Sequence, residues 1–190
     1  GAIGVDHREQ IWASIHDSGV VVMDKNKKLL KYFENDPNDK RSLKVKRVNR
    51  VLIGPDKNVW LCGRNGISRI DPVTLRVDNF ENTPLAKFDR MHVVPLWFTD
   101  KNNLWIAASF DGLFHYNLIT KELNEVEAFK RYKKDGILDL KIDSSGNIYI
   151  GNRAGVQILF RDGRVKELTQ KNGLLVDRGE GILIDGHNRV

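Results

Sequence analysis

The sequence has little that would cross-link it, anchor it in a membrane or build long helices. One cysteine among 190 residues allows no internal disulfide. No apolar run approaches the roughly eighteen residues of a membrane helix, and no basic-plus-apolar leader stands in these residues, so we expect such segments either to be absent or to lie outside them. No segment of more than ten residues has apolar side chains at helical spacing, so we expect almost no helix.

Side chains that perform catalysis or bind metals are also sparse. No His, Cys and Asp cluster has metal-ligand spacing, so we predict no metal site, no cofactor and no catalytic residue. The segment Gly63–Gly66 is too short to cradle a phosphate and precedes a strand rather than a helix. The lone Cys62 falls in a predicted strand, where a small buried side chain is expected rather than a reactive thiol.

The composition is that of an ordinary globular protein, and within it one pattern repeats. An aromatic residue follows an acidic turn in four copies, at Trp12, Trp60, Trp105 and Tyr149, with intervals of 48, 45 and 44 residues. An apolar stretch precedes each acid, and residues that favour tight turns follow it. The interval is that of a four-stranded propeller blade. We therefore predict an all-β fold of β-propeller blades, each a four-stranded antiparallel meander.

The repeats divide the chain into four blades and the start of another. The predicted blades occupy residues 1–46, 47–91, 92–136 and 137–180, and residues 181–190 are predicted to be the first strand of a next blade. A single blade cannot cover its two apolar faces, so the repeated aromatics are expected to pack between blades. An unclosed array leaves apolar faces and strand edges uncovered. We therefore expect a fragment of a larger propeller, completed by remaining blades or by a second copy of the chain.

The repeat resembles the two-component regulator propeller repeat. In the second copy the matching residues are Asp56, Val59, Trp60, Gly63, Gly66, Ile67, Ile70, Asp71 and Phe80. In the third copy they are Asp100, Leu104, Trp105, Ile106, Gly112, Leu113, Tyr116 and Asn117. The likeness covers nearly the whole chain. It departs from the pattern at Ala107–Ala108, where an early glycine is missing, and at Tyr149, which replaces Trp.

The resemblance implies a place in a larger signalling protein. Similar repeats form the periplasmic sensor region of bacterial hybrid two-component histidine kinases, which are anchored in the inner membrane. It implies detection of oligosaccharides and control of the transcription of glycan-utilisation genes. Kinase, receiver and DNA-binding elements are absent from these residues, so we expect the chain itself not to be an enzyme and the parent protein to be a histidine kinase.

The expected ligand surface is one face of the propeller. We call it the 2–3 face, because the turns between the second and third strands emerge there together with the links between blades. Two links, residues 34–47 and 127–136, carry part of the net charge of +6. Such a face would suit uronate-bearing or sulfated saccharides or an acidic protein surface, but solvated lysines that aid solubility are the simpler explanation of this charge. The ligand-binding candidates are Arg64, Phe110, Asp111, Arg153 and His16.

Three other functions were weighed against a ligand sensor. A propeller scaffold that binds another protein is the main alternative, and it would show a broad flat patch. Streptogramin lyase propellers are broadly similar, but His16, His92 and His115 have no acidic partner repeated between copies, so catalysis is not expected. Nucleic-acid binding is not expected either, because basic residues alternate with aromatics only in residues 129–134.

Overall fold

The computed structural model describes residues 1–186, which form four antiparallel four-stranded sheets. In each sheet the strands follow one another in chain order, so each is a meander. The first two sheets consist of β1 (Ile3–Val5), β2 (Ile11–Ile15), β3 (Gly19–Met23) and β4 (Leu29–Phe33), then β5 (Arg47–Ile53), β6 (Val59–Arg64), β7 (Gly66–Ile70) and β8 (Val77–Asp78). The last two consist of β9 (Val93–Phe98), β10 (Asn103–Ala108), β11 (Gly112–Asn117) and β12 (Leu123–Glu125), then β13 (Ile137–Ile142), β14 (Ile148–Asn152), β15 (Gly155–Leu159) and β16 (Val165–Leu168). The predicted all-β fold of propeller blades is confirmed.

The acid of each repeat shapes its turn and, in three copies, holds the aromatic. Asp6 accepts hydrogen bonds from two turn amides and from Trp12 Nε1, the last at 2.8 Å. Trp60 Nε1 donates to its own turn acid at 3.1 Å, and the Tyr149 hydroxyl donates to Asp143 at 3.1 Å. One carboxylate thus satisfies turn amides and the polar end of a buried ring, which explains why this pair recurs.

The third copy is built differently. The Asp100 carboxylate accepts hydrogen bonds from the backbone of Asn102 and from the backbone and side chain of Asn103. The Asn103 side-chain oxygen lies 2.9 Å from His115 Nε2, and the His115 ring packs on Trp105 with 4.9 Å between ring centroids. Trp105 is only partly buried, so its ring stands nearer the surface than Trp12 or Trp60.

Apolar clusters fill the space on the far side of each aromatic. The first joins Trp12 to the second sheet, the next joins Trp60 to the third, and another packs Trp105 with the fourth. The last packs Tyr149 against residues of the C-terminal segment, among them Ile182. The aromatics therefore lie between successive blades, as the repeat requires.

The two ends of the array differ. On the first blade, Ile3 and Val5 are 69% and 58% exposed. The equivalent residues of the second blade, Val51 and Ile53, pack in the cluster under Trp12. The first blade thus presents an uncovered apolar face, and the array is open at this end. At the other end the segment that contains Ile182 covers the last blade.

The C-terminal segment runs beside the fourth blade without forming a strand in its described part. Gly179 N donates to the Asn152 carbonyl at 2.8 Å, but residues 181–186 form only bends and a turn. A first strand needs a second strand for its hydrogen bonds, and residues 187–190 lie outside the described residues. The strand predicted at 181–190 therefore stays a prediction.

Within residues 1–186 the helical content is confined to short 3₁₀ helices at Pro84–Phe88, Glu127–Asp135 and Gln170–Asn172. The nine-residue helix replaces the simple link expected there. Its Phe129 and Tyr132 are both buried, and a spacing of three places them on one face of a 3₁₀ helix. No helix in the described part of the chain has the length and apolar character needed to cross a membrane.

Candidate functional site

The first strand of each blade lies at the inside of the array. Strand β9 packs on both β5 and β13, and an ion pair joins the second blade to the fourth. Arg50 Nη2 lies 3.0 Å from Asp139 Oδ1. The other carboxylate oxygen of Asp139 accepts a hydrogen bond from Ile182 N at 2.9 Å. This pair joins the first strands of two blades that are not neighbours.

The turns between second and third strands all emerge at the same face, because every blade runs in the same direction. His16 lies in the turn after β2, Arg64 ends β6, Phe110 and Asp111 follow β10, and Arg153 follows β14. The structure therefore places the candidate ligand-binding residues on the 2–3 face. Within that face it separates them into two groups.

Phe110 and Arg153 form the first group. The Phe110 side chain is 54% exposed, and the Arg153 guanidinium lies 5.1 Å from the centre of its ring. Both lie over Gly136, which has a φ of 62°, and a Cβ there would be 2.5 Å from Arg153 Nη1 and 2.7 Å from Phe110 Cε1. Asp111 N donates to the Ala108 carbonyl and closes the turn that presents the ring. Two turns and a glycine thus hold an exposed aromatic ring against a cation.

Arg64 belongs to the second group, at the end of the central channel. It is paired in register with Arg47, and its backbone forms a bridge to that of His92. Asn49 Nδ2 lies 2.5 Å from His92 Nε2. Partial burial and the charges of Arg47 and Arg64 lower the pKa of His92 below 6.5, so the imidazole is neutral at pH 7.

His16 joins the second group only through Asp17. Its Nδ1 lies 3.2 Å from Asp17 Oδ2, and 77% of its side chain is exposed. The other oxygen of Asp17 is 3.6 Å from Arg47 Nε. Beside these residues is a shallow depression of about 420 Å³, lined by residues that include Lys46 and Tyr32.

The two basic links carry less free charge than their composition suggests. Lys44 forms an ion pair with Asp89, and Lys133 Nζ lies 2.6 Å from Glu125 Oε1. In the helix over Glu127–Asp135 two more cations are paired with carboxylates. Phe129 and Tyr132 are buried there, so the aromatic rings of residues 129–134 are not available to stack on bases.

The histidines do not converge on one site. His115 lies in the third blade against Trp105, whereas His92 and His16 stand on the 2–3 face in different blades. Burial lowers the pKa of His115, and the charge of Asp100 partly opposes this shift. Within residues 1–186, no group of three or more His, Cys, Asp or Glu side chains is arranged to hold a metal ion.

Sequence reasoning missed Asn49, Arg50 and Asp139, and it considered Arg47 only as part of a basic link and His92 only as a catalytic residue. Each stands in or next to the start of a first strand, among apolar neighbours. Because first strands line the channel of a propeller, polar residues at these positions are the signal that could have identified them.

Comparison with solved structures supports the fold. No protein-family model and no curated protein sequence matches the chain. The extracellular domain of a protein described as a one component system from B. thetaiotaomicron is 18% identical, with a TM-score of 0.78 over 98% of this chain and 25% of that one. The extracellular domain of a hybrid two component system from the same organism is 18% identical, with a TM-score of 0.67 over 86% and 22%. Virginiamycin B lyase from Staphylococcus aureus is 12% identical, with a TM-score of 0.61 over 88% and 54%.

These likenesses define the class as a β-propeller. The chain spans about a quarter of the length of the two sensor domains that it matches. The resemblance to sensor-region propellers is thereby confirmed at the level of the fold. At these identities the shared fold leaves function to be argued from the site.

Proposed function

We propose that this chain is the ligand-binding part of the extracytoplasmic sensor region of a hybrid two-component histidine kinase and response regulator. One observation carries the proposal: Phe110 is an exposed ring held in place on the 2–3 face. The two sensor extracellular domains with the same fold support this choice of class.

The chemistry of the Phe110 group suits an oligosaccharide. A sugar ring has an apolar face that packs on an aromatic ring, and its hydroxyl groups need hydrogen-bond donors and acceptors at the edge. Arg153 supplies donors beside the ring. Because Gly136 leaves room for both side chains, the ring is positioned before a ligand arrives, which lowers the entropy lost on binding.

The rest of the proposal concerns the parent protein. We place it in the periplasm, anchored in the inner membrane, where it detects oligosaccharides and controls the transcription of glycan-utilisation genes. Ligand binding changes the activity of the kinase if the ligand binds one arrangement of the domains more tightly than another. Remaining blades or a second copy of the chain cover the face that contains Ile3 and Val5, because an equivalent face is covered in the second blade.

A binding experiment with a matched control tests the Phe110 site. Titration calorimetry of this chain with a panel of neutral and acidic oligosaccharides is compared for the unaltered protein, Phe110→Leu and Phe160→Leu. Phe160 has an arginine, Arg164, 5.2 Å from its ring, but it stands in a turn on the opposite face. We expect Phe110→Leu to weaken binding by about 2 kcal/mol, or about thirtyfold, and Phe160→Leu to leave it unchanged. Equal effects of the two variants, or no binding by any member of the panel, would contradict the proposal.

The uncovered face of the first blade favours a protein-binding scaffold as the second candidate. Its exposed Ile3, Val5 and Ile15 form an apolar surface rather than a polar pocket. A scaffold would bind its partner protein at this apolar surface, and Phe110→Leu would leave the affinity for that partner unchanged. A lyase-like enzyme has no support from the site, because His16, His92 and His115 have separate partners and do not come together.

A further inference from the structure

We propose that the mouth of the central channel, formed by Arg47, Asn49, Arg64 and His92, binds one carboxylate or sulfate group of the ligand. This inference rests on the proposed function, because it takes the ligand of the 2–3 face to be a saccharide and adds that the saccharide carries a negative charge. The group belongs to a uronate or to a sulfate ester of a saccharide. Phe110 and Arg153 lie outside this mouth and belong to the separate first group.

The four side chains meet because three chain segments meet there. Strand β5 begins at Arg47 where β6 ends at Arg64, and these two residues face each other in register. The backbone bridge between Arg64 and His92 brings the start of the third blade against the same point. The contact of 2.5 Å between Asn49 and His92 then fixes the imidazole.

The mouth offers hydrogen-bond donors. When the Asn49 amide donates to His92 Nε2, the proton of the neutral ring is on Nδ1, which is then a donor. Partial burial, and after it the nearby charges of Arg47 and Arg64, lower the pKa of His92. Arginine matches the geometry of a carboxylate or sulfate because its planar fork donates two parallel hydrogen bonds.

Two carboxylates lie near the mouth: Asp17 pairs with Arg47, and Glu34 lines the same surface depression as Arg47 and Arg64. In the described part of the chain the Arg64 side chain has no carboxylate within ion-pair distance. Arg47 touches Asp17 at 3.6 Å, and both side chains are more than half exposed. Farther along β5, the Asp139 charge is already matched by Arg50 and by the Ile182 and Leu140 amides. Arg64 is therefore the arginine of the mouth that can receive an anion without first giving up an ion pair, whereas Arg50 is already paired with Asp139.

The experiment follows backbone and arginine side-chain resonances of this chain by NMR. The probes are sodium glucuronate, sodium sulfate and glucose, at an ionic strength held constant with sodium chloride. The variants are Arg64→Gln and Arg47→Gln. Arg164→Gln is the control, because Arg164 is an exposed arginine paired with Asp162 in a turn on the opposite face.

Saturable shifts at Asn49, Arg64 and His92 are expected with glucuronate and sulfate but not with glucose. Either mouth variant weakens that binding by about tenfold to a hundredfold, the loss expected for one charge-assisted hydrogen bond, and the control leaves it unchanged. If shifts do not saturate, or the control acts like the mouth variants, the positive surface attracts anions without a site and the inference is wrong.

The same experiment separates this inference from the proposed function. If neutral oligosaccharides bind at Phe110 while neither anion binds at the mouth, the sensor proposal stands and the anion site is refuted. If both anions bind at the mouth while no oligosaccharide binds to the chain, the anion site stands and the oligosaccharide proposal is refuted.

Discussion

Replacing Asp139 by Ala removes a carboxylate that joins three parts of the molecule. Its side chain is 4% exposed and lies in the first strand of the fourth blade. It contacts Arg50 of the second blade at 3.0 Å and accepts a hydrogen bond from Ile182 N of the C-terminal segment at 2.9 Å. It also accepts one from Leu140 N at 2.9 Å.

The cost comes mainly from the two amides. A buried N–H left without an acceptor costs about 1–3 kcal/mol. Arg50 is 47% exposed and returns to water when its partner is lost, so the ion pair adds little. We expect Asp139→Ala to lower the free energy of unfolding by about 3 kcal/mol and Arg50→Ala to lower it by about 1 kcal/mol.

Urea unfolding followed by circular dichroism measures both values, and the double variant completes a mutant cycle. At about 2–4 °C per kcal/mol, the melting temperature of Asp139→Ala falls by roughly 6–12 °C. Hydrogen exchange at Ile182 becomes faster in Asp139→Ala but not in Arg50→Ala. If Asp139→Ala costs no more than Arg50→Ala, or if Ile182 exchanges as before, the carboxylate does not join these segments.

Three further predictions concern single groups, and urea unfolding checks each. Trp60→Phe costs about 2 kcal/mol, because it leaves space between blades and removes the indole bond to Asp56; an unchanged stability would refute the inter-blade role. Burial raises the pKa of Cys62 to about 12 from an ordinary value of 9.0, so stability falls as pH rises above 9.0, and Cys62→Ala reduces that fall. Because burial lowers the pKa of His92 and His115 below 6.5, the unfolded chain binds protons first and the free energy of unfolding falls as pH drops below 6.5. A variant with both histidines replaced by Gln is expected to lose less stability over this pH range, and an unchanged loss would contradict the explanation.

The repeat spacing predicts the sheets because each strand is specified locally. An apolar run, a turn with Asp and an aromatic are short-range signals, and in the fourth copy they correspond to the strand Ile137–Ile142, the turn after it and the strand Ile148–Asn152. The positions of Trp12 and Trp60 between blades follow from the same register. These features need no knowledge of the distant parts of the chain.

The third repeat shows where local signals fail. The acid and the aromatic are five residues apart at Asp100 and Trp105, against four or six in the other copies. The Asn103 side chain donates to both carboxylate oxygens of Asp100, and Trp105 does not donate to them. In the second and fourth copies an Asn side chain and the aromatic both donate to the acid, so the difference in the third copy comes from turn geometry, which residue types alone do not determine.

The sequence predicts which residues of the candidate site lie in turns, but it does not predict which of them contact one another. Phe110 and Arg153 could be identified, since each stands in a turn whose place in the blade is known. Their contact depends on Gly136, in the link before the fourth blade. The Arg50–Asp139 pair joins residues 89 positions apart, and no periodic pattern encodes a contact across the axis.

Hydrogen exchange with bound ligand tests the central claim most directly, since it reports which face of the propeller is covered. The chain is measured alone and with the tightest-binding oligosaccharide of the calorimetry panel. The account predicts protection in the turns at residues 16–19, 64–66, 109–112 and 153–155. Protection confined to the opposite turns, at residues 24–28, 71–76 and 117–122, would contradict it, as would no protection at saturating ligand.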